Sequence, residues 1–417
     1  MDRVMKKIIL ACGVLLSWTI AAAPGTGDPK EKEYTKTMRE ALRVMRPFID
    51  QDDQTPVEGG QIQVLGEDPL RPNDGRPEEN DLLGRPPTGP ADAAVRNALD
   101  WLTAQQLPNG SWLETESPIA HTGLVTLAYM AYGARHDERG RYRQPLEKGL
   151  RWLVDKVGPD GSLKDDGRMY DQAMGTYALA EAYRITNDET LEKPLALAMS
   201  YLVKVQDPKG GGWRYKPYQP GDLSVTAWVV GALVTGHVAG IPVEVGVRQK
   251  ALQFLDSVGG GKQLGLYKYM SEKPPKPTMV AAGLFSYQML AGPLNNDRVE
   301  ESVNYIMDHL PNNHGAKDPF YYWYNATLAL RLHGTDTDAW LQWRGLMNQA
   351  LIRTQIKDRS RNHGSWDPIG VHAKREGRIV TTSWTCITLL APERQSTNTP
   401  EPEKPKNPTD RPGLPGQ

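Results

Sequence analysis

The aspartates at predicted helix starts are the side chains of this chain that could do acid–base chemistry. These residues are Asp165, Asp166, Asp171, Asp222 and Asp318. Glycan hydrolysis needs two carboxylates about 5–10 Å apart across the scissile bond. Asp171 and Asp222 are therefore the candidate catalytic residues. The alternative for each is a helix cap, because aspartate favours the position before a helix.

A second group of side chains could bind a small molecule. Aromatic walls with a few hydroxyl and charged groups are typical of ligand pockets. The candidate binding residues are His121, Thr122, Tyr170, Asp222, Thr226, Trp228, Tyr322, Tyr324 and Thr382. The threonines could instead cap or pack, and the aromatic cluster at 321–324 could belong to the core.

No metal site or cofactor is predicted. The eight histidines are scattered, and none has the i, i+4 spacing of a metal-binding helix. Cys12 and Cys386 are the only cysteines, which excludes a disulfide framework and a cysteine-rich zinc site. The glycine triplets at 210–212 and 259–261 lack the strand–loop–helix setting of a phosphate-binding loop.

A repeat of about fifty residues must position these side chains. Aromatic residues at 101, 152, 201, 254 and 305 recur in similar apolar segments, and a weaker sixth copy is centred on Ala350-Leu351. Three copies continue with a Pro-x-Gly turn at Pro108, Pro159 and Pro208. Proline cannot extend the preceding helix, so each turn ends one helix before the next begins.

Each repeat therefore predicts two helices. The first is amphipathic, as shown by Ala94, Ala98, Trp101 and Leu102 on one face, whereas the second is apolar nearly all round. The predicted second helices are 121–135, 170–184, 223–239, 278–291, 320–333 and 379–391. Six such hairpins predict an all-α protein, an (α/α)6 toroid with apolar helices inside. An open solenoid is the alternative.

The repeat resembles the Gln–Trp motif of the squalene/hopene cyclase and protein prenyltransferase superfamily. Trp101-Leu102-x3-Gln106-x3-Gly110-x-Trp112 matches the aromatic-Leu-x3-Gln-x3-Gly-x-Trp pattern, and Gln206 with Trp213 matches it with one extra residue. Lys148-Gly149-x2-Trp152-Leu153 matches the first half, and Gln355 with Trp366 matches the ends. The resemblance implies that Gln106, Trp112, Gln206, Trp213 and Trp366 tie outer helices together.

The resemblance does not extend to the chemistry of that superfamily. The cyclase motif Asp-x-Asp-Asp-Thr-Ala corresponds to residues 222–227, where Ser224 and Val225 replace the second and third aspartates. Serine cannot protonate an alkene. The zinc ligands of a prenyltransferase are not recognisable, and Cys386 lies in an apolar segment. The chain is most similar to the exported bacterial prenyltransferase/squalene-oxidase-repeat proteins.

The flanks predict export. Residues 1–23 combine a basic start, a short apolar run and Ala21–Ala23, the pattern of a signal peptide. The apolar run is too short for a permanent membrane anchor. Lipoprotein anchoring at Cys12 is the alternative to a periplasmic or extracellular chain. Residues 24–92 predict an amphipathic helix and a flexible linker, 93–391 the repeat domain, and 392–417 a disordered proline-rich tail.

The charge and composition of the chain exclude some classes of binding partner. A net charge of -1 without a basic stripe argues against nucleic acid. The first hypothesis is a non-catalytic envelope module that binds an isoprenoid or other lipid, a glycan or a protein at the toroid cleft. The second is an enzyme that acts on envelope glycans or terpenoid-like lipids through Asp171 and Asp222.

Overall fold

The computed structural model describes residues 90–113, 116–163, 168–292, 295–311 and 319–391. Twelve α-helices lie within these residues. The outer helices are α1 (Pro90–Ala104), α3 (Arg143–Lys156), α5 (Glu189–Lys204), α7 (Val245–Ser257), α9 (Asp297–Met307) and α11 (Asp338–Thr354). The inner helices are α2 (Pro118–Ala131), α4 (Met169–Thr186), α6 (Leu223–Val238), α8 (Pro277–Ala291), α10 (Pro319–His333) and α12 (Val371–Leu390).

The inner helices form a closed ring. Each packs against the inner helix before and after it, and α12 packs back against α2. Each outer helix packs against two neighbouring inner helices, so a second ring surrounds the first. The fold is therefore an (α/α)6 toroid, and the prediction of this fold class is confirmed.

Burial explains why the sequence separates into two rings. In α6, fourteen of the sixteen residues are buried, from Leu223 to Gly236. Such a helix is stable only inside, with apolar neighbours on every side. In α11 only Trp340, Trp343, Met347, Ala350 and Leu351 are buried, which is one face. An outer helix with one apolar face covers the inner ring and presents its polar face to water.

The predicted inner helices match the structure closely, with one difference in detail. Five of them begin within three residues of the predicted start. α12 begins earlier because a short helix precedes the inner one, and the two are joined at Gly377. Gly377 has φ 90° and ψ −177°, which breaks the helical path. The pattern of apolar residues identified only the buried second part.

All six inner helices begin at the same end of the ring, which we call the mouth. The Tyr170 hydroxyl, in the first turn of α4, donates to Ser224 Oγ in the first turn of α6 at 2.7 Å. The Tyr321 ring, in the first turn of α10, lies 5.3 Å from the Trp384 ring of α12. The connections from outer to inner helices therefore all reach the mouth.

A repeated glutamine contact joins an outer helix to the next one in several repeats. Gln106 Nε2, after α1, donates to Gly110 O and to Pro145 O in α3, both at 2.9 Å. Gln206 Nε2, after α5, donates to Gly211 O at 2.7 Å and to Val247 O in α7 at 3.1 Å. One amide group thus holds both its own turn and the following outer helix.

The last repeat closes the ring with the same contact. Gln355 Nε2, after α11, donates to Gly364 O and to Ala94 O of α1, both at 2.7 Å. The second repeat has no glutamine at this position, and Gln172 of α4 replaces it. Gln172 Nε2 donates to Gly161 O at 3.0 Å and to Ala198 O of α5 at 3.3 Å. Sequence comparison of the repeats did not find this substitute.

The tryptophan of the motif joins the turn to both rings. Trp112 Nε1 donates to Leu102 O at 2.7 Å, Trp213 Nε1 to Leu202 O at 2.8 Å and Trp366 Nε1 to Leu351 O at 2.8 Å. Each indole therefore donates to a carbonyl near the end of an outer helix, where intrahelical backbone partners run out. The extra residue before Trp213 changes nothing in this contact.

We predict that Gln355→Leu lowers the free energy of unfolding by about 2–4 kcal/mol. The substitution removes the hydrogen bond to Ala94 O and leaves the carbonyl group of Gly364 without this donor, with an apolar side chain in its place. Thermal or urea unfolding measures the change. Gln349→Leu on the exposed face of α11 is the matched control and should change stability by less than about 0.5 kcal/mol. Equal effects of the two variants would contradict the assigned role.

The turn glycine is required for two reasons. Gly110 has φ +94°, and a Cβ there would lie 2.6 Å from the backbone oxygen of Lys148 in α3. Gly161, Gly211 and Gly364 repeat both features, with an outer-helix carbonyl oxygen 2.0–2.4 Å from the position of a Cβ. A side chain at this point would push the next outer helix away from the turn.

We predict that Gly110→Ala destabilises the chain by at least about 2 kcal/mol, because it strains φ and displaces α3. Gly345→Ala is the control: this glycine lies inside α11 with no atom within 4 Å of the added Cβ. It should raise stability by up to about 1 kcal/mol through helix propensity. Melting temperatures of both variants test the pair, and opposite signs are expected.

Candidate functional site

Four of the candidate binding residues face the outer ring. The hydroxyl groups of Thr122 and Thr226 accept the backbone N–H of Trp112 and Trp213, both at 3.0 Å. The Thr382 hydroxyl accepts the backbone N–H of Trp366 at 3.4 Å. The Tyr322 hydroxyl donates to His309 O at 2.9 Å, and its ring contacts Trp343 edge-on at 5.7 Å. These side chains fasten the turns to the inner helices and do not reach the lumen.

Four aromatic side chains cross the lumen near the mouth; we call them the lumen cluster: Trp228, Tyr321, Tyr324 and Trp384. The Trp228 ring stacks on Tyr324 at 5.3 Å and on Tyr321 at 6.2 Å. Because α8 lies between α6 and α10 in the ring, these contacts span the lumen. Tyr321 also hydrogen-bonds to Ser224 O at 3.3 Å. All four residues are less than one-tenth exposed.

One polar atom of the lumen cluster is buried without a hydrogen bond. The indole N–H of Trp384 has no acceptor among the described residues, although the side chain is 5 % exposed. Leaving a buried donor unsatisfied costs about 1–3 kcal/mol. Such a group is explained when a ligand or ordered water supplies the acceptor.

A polar network lies beside the lumen cluster. Tyr170 donates to Ser224, and the Ser224 hydroxyl donates to Asp222 Oδ1 at 2.7 Å. Asp222 Oδ1 also accepts the backbone N–H of Val225 at 3.0 Å, so Asp222 caps α6. Its other oxygen lies 3.8 Å from Arg214 Nε. Arg214 is partly exposed and connects this network to solvent.

Burial has the largest effect on the pKa values of Asp222 and Tyr170 in this network. Asp222 is 0 % exposed, and desolvation raises the pKa of its carboxyl above the ordinary value of 3.8 despite the hydrogen bonds it accepts. Burial also raises the pKa of Tyr170 well above 10. Both groups are therefore biased toward their neutral forms, in which Tyr170 donates to Ser224.

The two candidate carboxylates point to different neighbours. Asp171 Oδ1 accepts the backbone N–H of Ala120 at 2.9 Å, so Asp171 of α4 reaches back to α2. Asp222 instead bonds within its own first turn and faces Arg214. Both carboxylates thus serve the starts of helices. Asp165, Asp166 and Asp318 lie outside the described residues.

His121 and Cys386 are buried inside the fold. His121 is 0 % exposed, and burial lowers its pKa to about 4, so the imidazole is neutral near pH 7. Burial raises the pKa of the Cys386 thiol, which keeps it protonated and unreactive. Among the residues that the structure describes, no three histidine, cysteine, aspartate or glutamate side chains form a group that could hold a metal.

The predicted binding residues include Tyr322 but not Tyr321, Trp384 or Arg214. The available signal was spacing: Tyr321 and Tyr324 are three residues apart and share one helix face, whereas Tyr322 is turned by about 100°. No sequence pattern identifies Arg214, because it lies in an irregular connection between two helices. Its position depends on how that connection folds over the mouth.

We predict that Asp222→Asn changes the pH dependence of stability. The folded chain binds a proton at Asp222 more tightly than the unfolded chain does, so ionisation of this carboxyl destabilises the fold. Relative to the variant, the free energy of unfolding of the native chain should fall as the pH rises above 3.8. Asparagine keeps the helix cap. Urea titrations from pH 4 to 7 that give a constant difference would contradict the buried carboxyl.

Comparison with known proteins supports the fold and leaves the family open. No family model matches the chain, and no curated protein matches it. An α-1,6-mannanase from Salegentibacter sp. HEL1_6 is similar over 73 % of this chain and 99 % of its own, with 12 % identity and TM-score 0.54. An α-amylase from Clostridium perfringens covers the same shares with 11 % identity and TM-score 0.50.

A type II terpene cyclase has a similar fold as well. A variant of the enzyme MstE from Scytonema, in complex with geranylgeranyl dihydroxybenzoate, matches with 15 % identity and TM-score 0.51. The match covers 73 % of this chain and 97 % of the cyclase. At these identities the likeness concerns the fold alone. The chain therefore shares the α/α-toroid architecture with enzymes that act on glycans and on terpenoids.

Proposed function

We propose that this chain is an exported, non-catalytic toroid that binds an apolar, isoprenoid-like or other lipid ligand at its mouth. The buried, unpaired N–H of Trp384 in the lumen cluster carries the proposal. A ligand with one hydroxyl or carbonyl oxygen would satisfy this donor. Its hydrocarbon part would pack against the aromatic rings beside it.

The apolar character of the lumen favours a lipid over a glycan. The lumen cluster offers four aromatic rings, and Gly231 and Leu328 continue the helix faces of Trp228 and Tyr324. A glycan would need many converging polar groups to replace the water around its hydroxyls. The polar network at Asp222 and Arg214 lies to one side and suits a single polar head.

The capping role of the two aspartates supports the non-catalytic part of the proposal. Asp171 is bonded to the backbone of α2, and Asp222 to the backbone of α6. Ser224 occupies the position of the acid in the cyclase motif and donates to Asp222. In both aspartates one carboxylate oxygen is held by a helix start and is not available to a substrate.

We predict that Trp384→Phe weakens ligand binding while the fold is kept. Phenylalanine retains an aromatic ring in the cluster and removes the N–H donor. Dissociation constants for geranylgeraniol in dilute detergent should rise about tenfold, the equivalent of one lost hydrogen bond. Calorimetry or ligand-induced thermal shift measures this change. Unaltered binding by Trp384→Phe, or no binding of geranylgeraniol or squalene by the native chain, would contradict the proposal.

Tyr322→Phe is the matched control. This tyrosine belongs to the same helix as Tyr321 but donates to carbonyl oxygens of the outer ring. Its loss should lower the melting temperature of the free chain and leave the ligand-induced shift unchanged. Mannotriose and maltotriose belong in the same screen, because their selective binding would favour a glycan ligand instead.

One observation favours an enzyme as the second candidate. The raised pKa of Asp222 would help a carboxyl to donate a proton to a substrate at the mouth. Product analysis after incubation with glycans and polyprenyl lipids tests this function. Turnover that disappears in Asp222→Asn, with binding retained, would replace the binding proposal by the enzymatic one.

A further inference from the structure

The exposed apolar side chains of the described residues are concentrated at one end of the toroid. Seven of the nine large ones lie in connections that lead from an outer to an inner helix, or directly follow one. The other two, Val245 and Leu341, lie in the outer helices α7 and α11. We call residues 105–113, 205–222, 258–276 and 355–378 the mouth rim.

One part of the rim is formed where the last repeat meets the first. Ile369 is 55 % and Val371 69 % exposed, and Leu107 and Leu113 are 38 % and 44 % exposed. The two repeats are in contact here, since Trp101 Nε1 donates to Arg361 O at 3.0 Å. Between residues 357 and 376 the exposed charged side chains are five cations and two carboxylates. This part of the rim is apolar and basic.

The opposite part, in the third and fourth repeats, has the same character. Tyr215, Tyr218 and Leu264 are 44 %, 53 % and 43 % exposed. The exposed charged residues of 205–222 and 258–276 are Lys209, Lys216, Lys262, Lys273, Lys276 and a single acid, Glu272. The basic excess therefore recurs in these two parts of the rim, whereas the other described outer-to-inner connection residues, 116–117, 157–163 and 308–311, expose three acids, Glu116, Asp160 and Asp308.

The other end of the toroid provides an internal comparison. Its described connections include 132–142, 187–188, 239–244 and 334–337, and Val245, directly after 239–244, is the one exposed large apolar side chain of the described residues that borders them. The exposed charged side chains of these connections are two arginines and four acids. Folding alone therefore does not demand exposed apolar residues in the connections. The difference between the two ends points to a partner at the mouth.

We propose that the mouth rim docks on an anionic lipid surface. Exposed Ile, Val, Leu and Tyr side chains gain free energy by entering the interfacial region of a bilayer. Lysine and arginine around them are attracted to anionic headgroups. Charge complementarity selects a lipid surface over a second copy of this chain, because two basic rims would repel each other. No described helix is long and apolar enough to cross the bilayer.

Flotation of the full-length chain with lipid vesicles tests this docking. Vesicles of phosphatidylcholine with about 30 % phosphatidylglycerol should bind the chain at least about tenfold more tightly than phosphatidylcholine alone. Raising NaCl from about 0.05 M to about 0.5 M should remove most of that difference, because salt screens the attraction. Equal binding to both vesicle types, or to neither, would overturn the proposal.

Paired variants test whether the vesicles bind to the rim or to another segment of the chain. Ile369→Glu with Val371→Glu should weaken binding to the anionic vesicles by at least about tenfold, and Lys374→Glu with Arg375→Glu by about as much. Leu341→Glu and Val245→Glu introduce the same charge at exposed apolar sites away from the rim and should change binding less than about twofold. If these controls act as strongly as the rim variants, the docking surface is wrong.

Trp384→Phe distinguishes this proposal from ligand binding in the lumen. The substitution should leave vesicle binding unchanged, because Trp384 is buried below the rim. Vesicle binding with a normal salt dependence and no uptake of geranylgeraniol would support docking while it contradicts the lipid ligand. Melting curves of all variants confirm that the exposed substitutions leave the fold intact.

Discussion

The toroid depends on a side-chain amide that binds two backbone carbonyl groups at once. One carbonyl belongs to the turn after an outer helix, and the other belongs to the next outer helix. The contact therefore fixes the distance between consecutive repeats at the mouth. The turn glycine permits it, because any side chain there would hold the two apart. The contact recurs at three further junctions, and the inner helices begin together at the mouth.

The pattern of apolar residues was sufficient to predict the fold. Second helices such as α6 are apolar on every side, so only an inner position buries them, whereas α1 and α11 have one apolar face. The pattern did not show the break at Gly377, since a positive φ leaves no trace in apolar spacing. It also missed Gln172, which performs from an inner helix the task that Gln106 performs from the end of an outer one.

The candidate site was harder to predict than the fold, for a geometric reason. A helix position is defined by its rotation, and one residue turns a side chain by about 100°. Tyr322 was predicted to bind a ligand, but Tyr321 is the tyrosine that faces the lumen. Thr226 was predicted as well, but its hydroxyl accepts the backbone N–H of Trp213. Only the contact between α6 and α10 reveals which faces converge. A helix cap was the alternative predicted for Asp222, and the hydrogen bond from the backbone N–H of Val225 shows that Asp222 has this role.

The closing contact between the last and the first repeat has a consequence for how the chain folds. Gln355 and Ala94 are 261 residues apart, and Trp101 reaches Arg361 across 260 residues. Every other junction joins repeats that are neighbours in sequence. During synthesis α1 therefore emerges long before α12, its main inner partner, exists. The ring has one seam of high contact order, which closes last and slowest. Until it closes, the growing chain is an open arc with an unpaired apolar face at each end.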